Sequence, residues 1–477
     1  MNTSPQKESD GWPNVPLDQI CAKIQDGTHF SPKAQFSEPA AGRYKYVTAK
    51  NIRPWGLDLT DITYIDKTAH RDIFRRCNPE RGDVLLTKDG ANTGMVAINN
   101  VGEEFSLLSS VALLKPRKDL LDARFLRYFI ESPQGTRGII GKMSGTAIRR
   151  IILKRIKEAT IPLAPLREQQ RIVAEIEKQF TRLDAAVASL KRVQIALKRY
   201  RASVLKAACE GRLVPTEAEL ARNENRSYET GEELLRRILK KRREKWNGKG
   251  KYKEPVSSKD ADLPTLPEGW TWATVGQLTD ESMIGLDRGR SQQTDGPDTG
   301  VPYIKMNNVT MEGRVIFEKV SYVPATLDEK ARFHVREDDV LFNTRNSKEL
   351  VGKVGIVRNP PANAIYNNNL MRLRFADGVI PAVVNLQMIS HDFRRRMELV
   401  KKATTNVAAV YGKDLFPLPI ALPPVGEQWR IVAEAERRVS VLDELANVVG
   451  LNLSKAQALR RAFLQAAFEG RLSNYGD

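Results

Sequence analysis

Cysteine and histidine are scarce in this chain. Three cysteines (Cys21, Cys77, Cys209) and four histidines (His29, His70, His334, His391) are scattered through 477 residues, none with a second ligand beside it. That scatter argues against a disulfide framework and against a zinc site. Long apolar runs are missing as well. No stretch approaches the ~18 residues that a membrane helix needs, and the opening MNTSPQKESDGW has no apolar signal core. No membrane contact is expected, and a cytoplasmic location is.

Acidic residues are too few to balance the basic ones. Lys and Arg number 76 against 58 Asp and Glu, giving a formal net charge of +18 and a pI near 9.7. Such an excess points to a polyanionic partner, nucleic acid before a membrane surface. Catalytic signatures are also absent. There is no Gly-x-Ser-x-Gly. The stretch Gly138–Ser144 lacks P-loop spacing and has Met143 where a Ser or Thr must bind magnesium. Asn359-Pro360-Pro361-Ala362 has no aromatic fourth residue, which a base-flipping loop needs for stacking. A non-catalytic protein is expected.

What is present is repetition. Residues 161–213 align without a gap to residues 420–472, at a constant offset of 259 (420 − 161 = 472 − 213), with 21 identities in 53 positions. A weaker repeat, Gly11-Trp12 against Gly269-Trp270, opens each half. Each copy starts after prolines (Pro162 and Pro165; Pro423 and Pro424), which end an extended segment and pre-set a helical turn. Apolar residues then recur in steps of three and four from Ile172 to Val204, and again from Ile431 to Phe463. This is a coiled-coil seam with an irregularity near Leu190–Val193. Gly211 and Gly470 stand where a helix C-cap belongs. Antiparallel packing of the two helices is expected, because a long excursion separates them.

The blocks between the helices match in order. Asp83-Val-Leu-Leu meets Asp339-Val-Leu-Phe, and Gly94-Met-Val-Ala-Ile meets Gly352-Lys-Val-Gly-Ile. Short β-like runs with turn signals and one helical stretch, Ala123–Glu131, make each block a mixed α/β domain. The expected architecture is therefore two mixed α/β domains separated by two long antiparallel coiled-coil helices, an internal repeat with a pseudo-two-fold axis. The expected divisions are 1–160, 161–213, 214–268, 269–419 and 420–477. The linker carries a basic run, Arg236–Lys253, with ten basic residues and one acidic. Two-fold protein symmetry suits the two-fold symmetry of duplex DNA.

Polar and basic side chains cluster in loops of both blocks. In the first they are Thr28, His29, Lys33, Lys88, Asn92, Thr93, Thr146, Arg149 and Arg150. In the second they are Arg288, Arg290, Gln292, Arg345, Asn346, Asn368, Lys401, Thr405 and Asn406. Arg, Lys, Asn and Gln pair with base edges, and Ser, Thr and Lys hold phosphates. The groups occupy corresponding positions: Thr146 aligns with Thr405. Near each helix start, Ile172, Val173 and Ile176, and Ile431 and Val432, lie beside a charged Glu-Gln-x-Arg turn. They are candidates for an apolar surface that adds a partner helix.

The order of motifs is similar to that of one known family. Pro165–Glu177, Glu210–Val214, Leu266–Leu278 and Pro424–Glu436, with Asp26–Pro32, resemble the specificity subunit of type I restriction–modification systems over essentially the whole chain. Gly426 and Trp429 depart from the Arg167 and Gln170 of the first copy. The resemblance implies two target-recognition domains reading a split site in double-stranded DNA, with the helices as spacer. It implies no cofactor on this chain. Two modification subunits would carry S-adenosylmethionine and the adenine methyltransferase chemistry, and motor–nuclease restriction subunits would use ATP and magnesium.

Overall fold

The computed structural model describes residues 12–141, 150–248, 250–258, 263–403 and 407–472. The contacts divide into two compact units. Unit 1 is Met1–Arg192 with Val449–Asp477, and unit 2 is Val193–Val448. Unit 1 is made of two separate stretches of the chain, whereas unit 2 is one continuous stretch. Unit 1 holds the first α/β block, the start of one long helix and the end of the other.

In unit 1 an antiparallel four-stranded sheet runs Cys21–Asp26, Val111–Pro116, Val84–Thr87, Val96–Ile98 in spatial order. The central strand reads Val-Leu-Leu-Thr and is buried along its whole length, as a strand covered on both faces must be. A three-stranded sheet, Thr63–Asp66, Arg43–Val47 and Phe105–Leu107, lies beside it. Asn14–Pro16 pairs with Thr160–Pro162, so the block's two ends close on each other. The helix Ala123–Glu131 starts where the sequence predicts. Asp122 caps it, its carboxylate accepting from the Arg124 and Phe125 N–H groups.

Unit 2 repeats this plan. Its four-stranded sheet runs Thr279–Ile284, Leu370–Phe375, Val340–Asn343, Val354–Ile356, and Thr271–Thr274 closes on Pro419–Leu422. The registers correspond: Ala112 pairs with Asp26 in unit 1, and Met371 pairs with Ile284 in unit 2. Unit 2 adds a small sheet of Arg345–Asn346, Ala408–Ala409 and Lys402–Ala403.

The long helices are Leu166–Cys209 and Val425–Phe468, 44 residues each. At ~1.5 Å per residue each spans roughly 66 Å. In unit 1 the start of the first packs with the end of the second, through Ile172, Ile176, Phe180, Leu464 and Phe468. In unit 2 the complementary ends meet, through Val204, Ala208, Ile431 and Ala435. Each meeting carries one ion pair between the helices. Asp184 takes Arg460 at 3.0 Å, with that guanidinium 3.9 Å over the Phe180 ring. Their repeat equivalents, Asp443 and Arg201, pair in unit 2. Two copies of one Leu-Asp…Arg pattern thus satisfy each other, as an antiparallel pairing of identical motifs requires.

The Glu-Gln-x-Arg turns are structural. Gln169 is fully buried. Its carbonyl oxygen accepts from the Asp122 N–H at 2.9 Å, and its amide donates to Leu120 O and Ala164 O, both at 2.8 Å. Gln428 repeats this with Ile380 N–H, Gly378 O and Pro423 O. Each glutamine pins a recognition block to the first turn of a long helix. The preceding glutamates differ. Glu168 is half-buried and pairs with Arg171. Glu427 is buried and accepts from the Glu217 N–H and the Trp270 indole, both at 2.9 Å. Burial pushes its carboxyl above the usual range, against the pull of those bonds. Gln169→Leu leaves one buried N–H and two buried carbonyls unmet. We expect a loss of at least about 1–3 kcal/mol in unit 1, read by native-state hydrogen exchange of its peptides.

Candidate nucleic-acid interface

Each four-stranded sheet has one edge where four loops converge. In unit 1 they are residues 26–30, 88–93, 109–110 and 150. Thr28 N–H donates to Leu107 O, Ser109 N–H to Thr28 O, Lys88 N–H to Ser110 O and Ile151 N–H to Lys88 O. In unit 2 Leu286 N–H donates to Tyr366 O, Thr344 N–H to Asn369 O and Val410 N–H to Thr344 O. Three of the four bonds have a counterpart, so Asp26 stands where Ile284 does and Lys88 where Thr344 does. The glycines between are required by a backbone crossing. A Cβ at Gly27 would sit 1.8 Å from Leu107 O, and one at Gly285 2.3 Å from Tyr366 O.

The sequence-predicted side chains sort into several groups on this scaffold. His29, Lys33 and Arg150 in unit 1, and Arg290, Gln292 and Arg345 in unit 2, are exposed. Arg150 leans on Asp89 at 3.2 Å. Thr28 is half-buried, its hydroxyl held by Phe30 O at 2.9 Å, which leaves the Phe30 ring 87% exposed. Asn92 and Thr93 line a groove of about 1150 Å³ with Arg127, Lys191 and Arg460. Asn346 donates to the buried Asn343 at 2.9 Å, and Asn368 lines a cavity. Thr146, Arg149, Thr405 and Asn406 lie outside the described residues.

Three predicted contacts are corrected. Lys88 is buried, with its ammonium 3.0 Å from the buried Asp26 carboxylate. Asp26 also takes Arg76 at 2.9 Å and His29 at 3.3 Å, so Lys88 holds loops together and cannot reach a phosphate. Arg288 donates to Glu329 at 2.7 Å and to Pro324 O at 3.3 Å, and is tied down. Lys401 pairs with Glu398 and donates to Lys348 O at 3.3 Å. The predicted partner surface is corrected as well. Ile172, Val173, Ile176, Ile431 and Val432 are all buried in the chain's own cores, because the recognition blocks and helix ends cover that face. Apolar side chains remain exposed on both long helices, among them Val193 and Ile195 on the first. On the second, Val441, Leu445 and Val448, spaced i, i+4, i+7, form one stripe.

The basic linker stands elsewhere. Its helix Gly231–Glu244 packs on unit 2 through Leu234 and Ile238, and Arg242 donates to Gly276 O at 2.7 Å. That carbonyl precedes the strand Thr279–Ile284, whereas the loops cluster at the strand's far end, roughly 20 Å away at ~3.3 Å per residue.

Among the described residues no three His, Cys, Asp or Glu side chains gather as a metal site. Burial pushes all three cysteine thiols up to about 12, which removes them as nucleophiles. His70 bridges Ser106 at 3.0 Å and Glu104 at 3.2 Å, a relay-like contact. Ser106 is nevertheless fully buried and meets no substrate. Among the described residues no helix is long and apolar enough to cross a membrane.

A duplicated scaffold that offers different polar loops at matched positions defines a recognition protein with two reading edges. A sequence profile for the type I restriction modification DNA specificity domain matches residues 9–198. The chain is 23% identical over 473 residues to the type I restriction enzyme EcoKI specificity subunit of Escherichia coli K12, covering 98% of this chain and 90% of that protein. It is 21% identical over 468 residues to the type I restriction enzyme MjaVIII specificity subunit of Methanocaldococcus jannaschii, covering 96% and 94%. A chain solved in a study of type I R-M complex assembly and conformational transition shares the fold. Its TM-score is 0.66 at 18% identity, covering 98% of this chain and 100% of that one. Over nearly its full length the chain is thus similar to type I restriction enzyme specificity subunits, and residues 9–198 match the DNA specificity domain of type I restriction modification.

Proposed function

We propose that this chain is the non-catalytic subunit that reads a bipartite DNA site, one half-site per unit, and positions modification and restriction subunits on it. The observation that carries this reading is the matched scaffold with divergent loops: Asp26, Lys88 and Ser109 in one unit stand where Ile284, Thr344 and Asn368 stand in the other. Shared backbone geometry with different side chains gives each unit its own base preference. In this reading two modification subunits supply S-adenosylmethionine and methylate adenine, and restriction subunits supply ATP-driven motion and magnesium-dependent cleavage. This chain binds none of those cofactors.

Mapping methylated adenines genome-wide in cells holding this chain and its modification partner tests the reading. A split motif is expected. Exchanging residues 11–160 for the block of a relative should change one half of that motif and leave the other. Change in both halves would refute separable reading. The purified chain alone should transfer no label from S-adenosylmethionine to DNA. DNA binding should weaken steeply with salt as phosphate counterions are released.

The exposed stripe on the second helix is where a modification subunit would add a helix. Val441→Asp with Leu445→Asp places charge on that stripe without touching a core. The double variant is expected to keep its melting temperature and lose co-purification with the modification subunit. Intact assembly would rule this stripe out as the docking surface.

A further inference from the structure

A cavity of about 440 Å³ opens at the reading edge of unit 2. Its walls are Met283, Ile284, Met371 and Phe416, and Tyr411 lies beside them. Arg345 and Asn368, both predicted from sequence to read bases, line it as well. The equivalent place in unit 1 holds an ion pair. There the Asp26 carboxylate and the Lys88 ammonium meet at 3.0 Å. In unit 2 Ile284 and Thr344 replace those two residues, and both line the cavity. The same backbone thus holds an ion pair in one unit and an apolar pocket in the other.

We propose that this pocket receives an unstacked nucleobase from the half-site read by unit 2. The proposal rests on the DNA-reading function above. The cavity is far larger than a thymine methyl, the apolar group that an intact major groove presents. Pockets for extruded bases combine apolar or aromatic walls with a few polar groups that read the base edge. Here Tyr411 and Phe416 supply rings, and the two thioethers adapt to a flat ring. The Arg345 guanidinium offers donors, and the Asn368 amide offers both a donor and an acceptor. The Arg345 charge also favours the phosphate that follows the base. Unit 1, with its ion pair in that place, takes no such base.

The test uses the full chain assembled with its modification partner on a duplex carrying the mapped site. 2-Aminopurine is placed at each position of both half-sites in turn. Gly412→Leu is the matching variant. A Cβ there would lie 3.3 Å from Phe416 Cε2 and 3.6 Å from Met371 Cε, so the added side chain enters the cavity without meeting backbone. We expect fluorescence to rise at one position of unit 2's half-site, and Gly412→Leu to abolish that rise. The variant should weaken site binding about tenfold or more. Any signal from a base taken up by the modification subunit persists in the variant, which separates the two sources. Identical fluorescence in wild type and variant at every position overturns the proposal. A second readout needs no variant: the Met283 and Met371 methyl resonances should shift when wild-type protein binds the duplex. If binding is specific and both stay unmoved, the pocket idea fails while the DNA-reading function stands. If the wild-type complex shows no specific, salt-sensitive binding, the functional reading itself fails.

Discussion

Asp26→Ile is expected to destabilise unit 1 by about 3–5 kcal/mol. Asp26 is buried and bears the charge facing the buried ammonium of Lys88. Removing it leaves that ammonium in the sheet edge with no carboxylate. Arg76 and His29 are half-exposed or exposed and lose less, because water takes them over. The loop from Thr28 to Phe30 should loosen with the pair, since His29 also leans on Asp26. Unit 2 supplies the rescue, because it folds with Ile284 and Thr344 at the equivalent positions. Asp26→Ile combined with Lys88→Thr should therefore recover most of the loss, as replacement of a whole buried pair by neutral groups often does. Hydrogen exchange of peptides from residues 20–30 and 84–98 reports it locally. The account is wrong if the single variant is as stable as wild type, or if the double variant is no better than the single.

Four residues inserted after Leu190 are expected to lengthen the gap between half-sites by one or two base pairs. Four residues add one turn, about 6 Å of helix. At ~3.4 Å per base pair that is at most about two pairs. The site lies between the two interhelical ion pairs, Asp184–Arg460 and Arg201–Asp443, so neither is cut. The three–four stepping of apolar residues already slips there, and helical pairings absorb four-residue insertions by local unwinding. No reading loop is touched, so both half-site sequences should stay as they are. Methylome mapping of the insertion variant decides it. An unchanged spacer with full methylation would mean the helices hold the complex without measuring the DNA.

Much of the scaffold is legible in the sequence alone. The ungapped offset of 259 located two helices of equal length, and both run 44 residues. Strand runs such as Val84–Thr87 and the helix Ala123–Glu131 stood where apolar spacing and turn residues put them. The gathering of polar loops at matched places was visible too, because the repeat aligned them. The role of the Glu-Gln-x-Arg turn was not. In the sequence Gln169 and Gln428 belong only to a charged turn, yet each is a buried three-bond clasp. Duplication of a glutamine beside a proline stop was the one signal that pointed to them.

What the chain determines by itself is local: helix period, proline stops, glycine caps, turn residues and net charge act between near neighbours. Those set the elements, their lengths and the polyanionic partner. Which side chains stay free to meet that partner is decided by residues far away in sequence. Lys88 and Arg345 look alike in the sequence, but Asp26, 62 positions upstream (88 − 26), draws Lys88 into the core while Arg345 stays exposed. Helical spacing likewise marks Ile172 and Ile431 as apolar and says nothing of what covers them. Only the fold brings a recognition block onto that stripe and leaves Val441, Leu445 and Val448 exposed instead. Burial depends on long-range packing and periodicity does not, and for that reason the architecture was readable early and the working surface was not.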